Sequence, residues 1–180
     1  ISPTTTNENK VEIYLGLEYQ LQDGWKTYWK SPGDGGFPQE INWNNSVNIK
    51  SVEVEWPTPK KFEILGMQSI GYENKIIFPL KINLINQNIT SKVDLNVNYL
   101  VCKDICIPGN ENLELIIPAG FGELTKHSFI LEKSLSTIPL KFKELSLLKD
   151  AEAKIFYSEN KIIFLLYAKA KKVFKKPEIF

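Results

Sequence analysis

Cys102 and Cys106 stand in the stretch YLVCKDICIPG (99–109), with three residues between them, and they are the only cysteines in the chain. Thiols so spaced can pin a loop, supply half of a metal site, or exchange their bond with another protein's disulfide. A metal site is short of ligands. Structural zinc takes four Cys or His ligands and catalytic zinc at least three protein ligands, whereas this chain adds a single histidine, His127, far along the sequence. The expectation is no metal and no cofactor beyond the cysteine pair itself.

Geometry restricts the rest. Along an unbroken strand four residues span about 13 Å, while bridged cysteines need Cα atoms within about 7 Å. Either the chain turns inside Lys103-Asp104-Ile105, or the two sulfurs never meet. Asp104 favours a turn, and Pro108-Gly109 marks irregular backbone just beyond. A bridge over so short a loop removes about 2 kcal/mol or less of chain entropy. The same shortness lets a second thiol resolve a mixed disulfide at once, because its effective concentration is high. Spacing alone leaves the staple and the exchanging pair both open.

Exchange has a further requirement. Only a thiolate attacks a disulfide, and a free cysteine has a pKa near 8.5. Lys103 is the one cation close by in sequence, and Asp104 opposes it. The expectation is a guarded dithiol, slow to react outside a docked complex.

The elements that must position these thiols are mostly strands. In 11–21 the apolar residues Val11, Ile13, Leu15, Leu17, Tyr19 and Leu21 alternate with mostly polar ones, which is the period of a strand with one buried face. Asp23-Gly24 follows as a turn, and WKTYW (25–29) reads as the partner strand of a hairpin. SPGDGGFPQ (31–39) is a loop by composition. In VNIKSVEVEW (47–56) the apolar phase slips, placing a bulge or break near Lys50-Ser51. IIFPLKINL (76–84) is a strand that Pro79 assigns to an edge or a bulge. VDLNVNYLVC (93–102) alternates, with Val93, Leu95, Val97, Tyr99 and Val101 on one side, so that Cys102 points to the other. LELIIP (113–118) is the last strand of this unit.

Helical spacing occurs once. Phe121, Leu124, Ser128, Leu131, Leu135 and Ile138 recur at helical intervals, with Pro139 as the stop. Two further strands, AKIFY and IIFLLYA, follow around a SENK turn. The plan is all-β: a β-sandwich over 1–118, a helical connector over 119–139, and the start of a second β unit over 140–180. The second unit has too few strands to close a core, so the natural protein is expected to continue past Phe180. The aromatics Trp25, Tyr28 and Trp29 are read as packing residues, with a border of a docking surface as the functional alternative.

The totals exclude several classes. Lys+Arg 22 against Asp+Glu 21 gives a net charge of +1, which argues for no nucleic-acid partner. The basic run AKAKKVFKKP is read as strand-edge lysines. No apolar run approaches the roughly 20 residues that a spanning helix needs. Gly33, Gly35 and Gly36 fit no phosphate-binding signature.

Four phrases in one order, GWKTYWKSPGDGGFP (24–38), WPTPKKFE (56–63), GYENKIIFPL (71–80) and YLVCKDICIPG (99–109), make the chain resemble the amino-terminal domains of DsbD-like, ScsB-type protein-disulfide reductases of bacterial envelopes. The resemblance implies an immunoglobulin-like sandwich, held in the periplasm and tethered to an inner-membrane electron carrier. It implies a dithiol, Cys102 and Cys106, that takes electrons from a thioredoxin-like domain of the same or a partner membrane protein. The dithiol passes them to a periplasmic thioredoxin-fold disulfide isomerase or a similar substrate. By the same resemblance Cys106 attacks and Cys102 resolves. Relatives shield their thiols with a cap loop bearing a carboxylate and an aromatic; FEILG (62–66) is the counterpart, with Glu63 as carboxylate and Phe62 or Ile64 as cover. Tyr99, Asp104 and Pro108 are the other candidate modulating residues. The alternative is an immunoglobulin-like binding or chaperone module whose disulfide is purely structural; a weaker one is a carbohydrate-binding sandwich using the tryptophans.

Overall fold

The computed structural model describes residues 1–139, 148–159 and 161–173. The chain divides into two compact units, Ile1–Pro139 and Leu140–Phe180. The first holds nine strands: β1 (Glu12–Gln20), β2 (Lys26–Gly33), β3 (Glu40–Asn42), β4 (Ile49–Val54), β5 (Lys60–Ile64), β6 (Met67–Glu73), β7 (Lys75–Leu84), β8 (Ser91–Cys102) and β9 (Cys106–Ile117). One helix, α1 (Ser128–Leu135), follows them.

The strands form an immunoglobulin-like sandwich. One sheet has the order β1-β7-β4; the other runs β3-β8-β2-β6-β5, with β9 paired to β8 along its whole length. Between them lies the core, with Leu15, Leu17, Tyr19, Phe78, Leu80 and Ile82 from one sheet meeting Tyr72, Val93, Leu95, Val97 and Ile117 from the other. Phe78 is its centre. The rings of Tyr19, Trp56 and Tyr72 all meet it edge-on at 5.0–5.4 Å, the arrangement that aromatic quadrupoles favour.

Several expectations change. Residues 11–29 do not form a hairpin: β1 pairs with β7, and β2 crosses to the other sheet to pair with β6 and β8. Alternation told which face of each strand is buried, not which strand lies beside it. The crossing is matched at the same end by β6 to β7, where Asn74 alone joins the two strands in the left-handed region (φ 62°). The Leu21 N–H donates to the Asn74 carbonyl at 2.6 Å, tying the two crossings together. Pro79 sits in the central strand of its sheet rather than at an edge. It stands opposite Gly16, whose N–H and carbonyl both bond Ile1 instead of β7. On the other side the Pro79 carbonyl accepts from Glu55 just past the end of β4, so the missing N–H falls where that ladder stops. The bulge expected near Lys50-Ser51 is present as a register shift between Ile49 and Ser51.

The helix is shorter than its spacing suggested. Phe121 and Leu124 are exposed and lie outside it, and Leu131 is its one buried residue. Residues 123–125 instead run beside the amino-terminal segment, through Thr5 N–H to Glu123 O and Thr125 N–H to Pro3 O. Gly120 at φ 109° and the preceding Pro118 break the helical phase there. His127 occupies the N-cap position of α1. Ser134 hydroxyl donates to the Ile77 carbonyl at 2.6 Å, anchoring α1 on β7.

The second unit contains an antiparallel hairpin, β10 (Leu148–Ser158) and β11 (Lys161–Ala170), whose apolar side chains, among them Phe156, Ile162 and Phe164, are exposed. The first strands expected after Pro139 begin at 148; residues 140–147, and the basic run from 174 onward, lie outside the described residues. No helix among the described residues is long and apolar enough to cross a membrane.

Candidate functional site

The β8 and β9 strands form a hairpin of twelve registered pairs, and the pair nearest the turn is Cys102 with Cys106. Lys103, Asp104 and Ile105 make the turn, closed by the Lys103 N–H donating to the Ile105 carbonyl at 3.0 Å. The two cysteines are disulfide-bonded, with Cα atoms 4.1 Å apart. The chain therefore turns inside Lys103-Asp104-Ile105. Pro108 and Gly109 are not irregular: both lie in β9, opposite Leu100 and Tyr99. Gly109 is there because a Cβ would enter the Tyr99 ring.

The two sulfurs have unlike surroundings. Cys102 is 0% exposed, while Cys106 is exposed. Cys102 belongs to a second, smaller core with Tyr28, Ile64 and Leu100, against which Phe62 packs. This cluster lies on the outer face of its sheet, opposite the main core. The change of face is visible along β8. Its positions 92, 94, 96 and 98 are polar and its positions 93, 95 and 97 fill the main core, but at 100 and 102 the outward positions become apolar and buried. Three apolar residues in a row, Tyr99-Leu100-Val101, carried that signal: both faces of the strand are covered there.

Two segments supply the cover. The β5–β6 hairpin brings Phe62 and Ile64, alternate residues on one face of β5. Its turn is Leu65-Gly66, both at positive φ (52° and 78°), the geometry of a tight two-residue hairpin. The glycine-rich loop after β2 packs from the other side. A Cβ at Gly36 would strike the Tyr28 ring and one at Gly35 the Met67 thioether, and Asp34 N–H donates to the Gln68 carbonyl at 2.8 Å. The glycines of SPGDGG thus serve close packing.

Of the residues singled out from sequence, the structure brings Phe62 and Ile64 into the cluster that buries Cys102. Glu63 lies between them on the strand, so alternation turns it to the opposite face, where it is exposed. Asp104 is exposed at the hairpin tip. Tyr99 faces the other way from Cys102; with Trp25, Val101 and Ile107 it lines an open groove of about 510 Å³ that neither cysteine enters. The aromatic trio is split: Trp29 packs on the main core, Tyr28 under Cys102, and Trp25 on the groove.

Strand register adds residues that sequence distance hid. Lys26 on β2 is the Cα partner of Cys102, on the side away from Cys106, and Glu73 on β6 is in turn the partner of Lys26. Residues directly opposite share a face, so Cys106, Cys102, Lys26 and Glu73 form one row across four strands. Lys103 is therefore not the only nearby cation. Its ammonium donates to the Asp23 carbonyl at 3.2 Å, while that of Lys26 lies 5.6 Å over the Phe62 ring and donates to the Gly24 carbonyl at 3.2 Å. Glu73 accepts from Lys60 at 2.7 Å, and this bond, with the charges of Lys60 and Lys26, holds its carboxyl below the usual carboxylate range. Burial pushes the Tyr28 hydroxyl up. Among the described residues no cluster of three or more His, Cys, Asp or Glu is placed to hold a metal.

One bond therefore joins a buried sulfur to an exposed one, and Cys106 Sγ is the side of the bridge open to solvent.

Residues 4–118 match the family model described as "Thiol:disulfide interchange protein DsbD, N-terminal". Among solved structures, the N-terminal periplasmic domain of ScsB from Proteus mirabilis matches with a TM-score of 0.73 and 22% identity, over 94% of this chain. That alignment spans 62% of the ScsB chain, so the present chain accounts for under two thirds of its relative's length. No curated protein matches the sequence.

Proposed function

The chain belongs to the family of DsbD amino-terminal domains, which are thiol:disulfide interchange proteins, and on that premise we propose that its Cys102–Cys106 pair relays electrons between proteins of the bacterial envelope. In this reading the reduced pair is regenerated by a thioredoxin-like domain of the same or a partner membrane protein. It then reduces a disulfide in a periplasmic thioredoxin-fold isomerase or similar substrate. Cys106 thiolate attacks the substrate disulfide and forms a mixed disulfide; Cys102 thiolate then attacks Cys106 Sγ, restores the internal bridge and releases the substrate as a thiolate. The chain so acts as one domain of a protein-disulfide reductase, in the periplasm and tethered to the inner membrane.

One observation carries the reading: the bridge has one accessible sulfur and one sealed beneath a dedicated patch of apolar side chains. A staple needs neither feature. The β8–β9 hairpin is already held by eleven other registered pairs, and closing its three-residue turn adds only about 2 kcal/mol by chain entropy. Phe62 and Ile64 act as the cover. They keep small oxidants and thiols from Cys102 and yield when a partner docks at Cys106.

Trapping tests it. Cys102→Ala leaves Cys106 without its resolving partner, so incubation with an oxidised thioredoxin-fold protein should accumulate a mixed disulfide through Cys106, and Cys106→Ala should accumulate none. The reduction potential should lie above the −300 mV or so that marks structural bridges of secreted proteins. No trapped adduct, together with a potential well below that mark, would leave a purely structural bridge.

A further inference from the structure

We propose that Lys26 is a positioning residue for exchange: its ammonium is the counter-charge for the thiolate that appears on Cys102 whenever the bridge opens. The inference rests on the proposed interchange and specifies how the buried sulfur takes part.

The problem it answers is electrostatic. When a thiolate attacks Cys106 Sγ, a new sulfur–sulfur bond forms there and the internal bond breaks. Both electrons of the broken bond stay on Cys102 Sγ, leaving a negative charge at a residue that is 0% exposed, among Tyr28, Leu100, Ile64 and Phe62. No polar hydrogen is gained or lost in this step. Burying an isolated charge is costly, and an apolar site pushes a thiol toward its neutral form. An unaided Cys102 would be both a poor leaving group and a poor resolving nucleophile.

The fold places a lysine opposite that position. Lys26 is paired directly with Cys102 across the β2–β8 ladder, and its neighbour along the same face, Tyr28, is in the Cys102 cluster. The Lys26 ammonium is drawn to the same patch by the face of Phe62, the aromatic that covers Cys102. It is held there, half-buried, by the Gly24 carbonyl. The other charged groups around it are Glu73 on β6, Lys60 on β5, and Lys103 and Asp104 at the hairpin tip. Glu73 is bonded to Lys60. Lys103 and Lys26 each donate to a backbone carbonyl, but Lys103 is exposed at the hairpin tip, whereas Lys26 is registered directly opposite Cys102. Exchanging the Gly24 carbonyl for the sulfur gives the ammonium a charge-assisted contact with the thiolate.

The test uses the full chain with dithiothreitol as the attacking thiol, so no partner protein is required. Lys26→Met should slow reduction of the bridge by about tenfold at neutral pH, and Lys26→Arg should stay within about twofold of the parent. In the Cys106→Ala background, thiolate absorbance of Cys102 against pH should shift upward by about one unit on adding Lys26→Met. Thermal unfolding of each variant, read alongside, separates a lost charge from a lost fold. Equal reduction rates and equal titration curves for the parent and a folded Lys26→Met would overturn the role of Lys26 while leaving the interchange intact. A parent bridge that itself resists dithiothreitol would overturn the interchange instead.

Discussion

At the scale of single residues, the two cysteines are chemically equal in sequence and unequal in place. The asymmetry gives a direct expectation. In Cys102→Ala the remaining Cys106 should alkylate with iodoacetamide at least about tenfold faster than Cys102 does in Cys106→Ala, since exposure governs access to the thiolate. Equal rates would mean that the cover over Cys102 is open in solution. The pair itself was legible in the sequence, as were the turn at Lys103-Asp104-Ile105 and the outward direction of Cys102. Lys26 was not legible. It lies 76 positions from Cys102 and becomes its neighbour only through the β2–β8 register, which no local pattern encodes. Glu63 lies on the face of β5 away from Cys102 for a simpler reason: it alternates with Phe62 and Ile64, and one face of the strand cannot hold all three.

At the scale of elements, alternation locates most of the strands; the two around the SENK turn pair as expected, while 11–21 and 25–29 do not pair with each other. Period two reports burial of a face; it carries no label for the neighbouring strand, so the supposed first hairpin became a crossing between sheets. Phe121 and Leu124 fit the phase of the helix yet lie outside it, because Gly120 and the contacts of 123–125 with the amino-terminal segment hold them in another conformation. The β5–β6 hairpin shows a local conflict. Leu65 takes a left-handed φ of 52° while 60% exposed, a conformation that costs a non-glycine residue on the order of 1 kcal/mol. Leu65→Asn should therefore raise the urea midpoint, by up to about 1 kcal/mol in stability, because asparagine tolerates that region and little burial is lost. A destabilised Leu65→Asn would show that the leucine side chain contributes packing that outweighs its backbone strain.

For the whole molecule, pH connects the core to stability. Tyr19 and Tyr72 are buried at the centre of the sandwich, and burial pushes both hydroxyls far up from their ordinary value. Tyr72 donates to the Pro57 carbonyl at 2.7 Å, a bond that exists only in the neutral form. In the unfolded chain these phenols titrate near 10. Above that pH the unfolded state sheds protons that the folded state keeps, so stability falls as pH rises. Each tyrosine contributes a slope of about 1.4 kcal/mol per pH unit. Absorbance at 295 nm during an alkaline titration should show these two tyrosines ionising together with loss of the fold. Ionisation of both in a still-folded chain would contradict the burial. The division of the chain is a further whole-molecule feature: the sandwich core and the cysteine site both lie within Ile1–Pro139.

The unequal placement of the two sulfurs also bears on damage by peroxide. In the reduced pair, peroxide would meet the exposed Cys106 first and convert it to a sulfenic acid, which is normally one step from irreversible loss as the sulfinic form. Cys102 sits directly across the hairpin and would condense with that sulfenic acid, expelling water and rebuilding the bridge. An attack that would ruin a solitary thiol would thus end in the same disulfide that the structure holds.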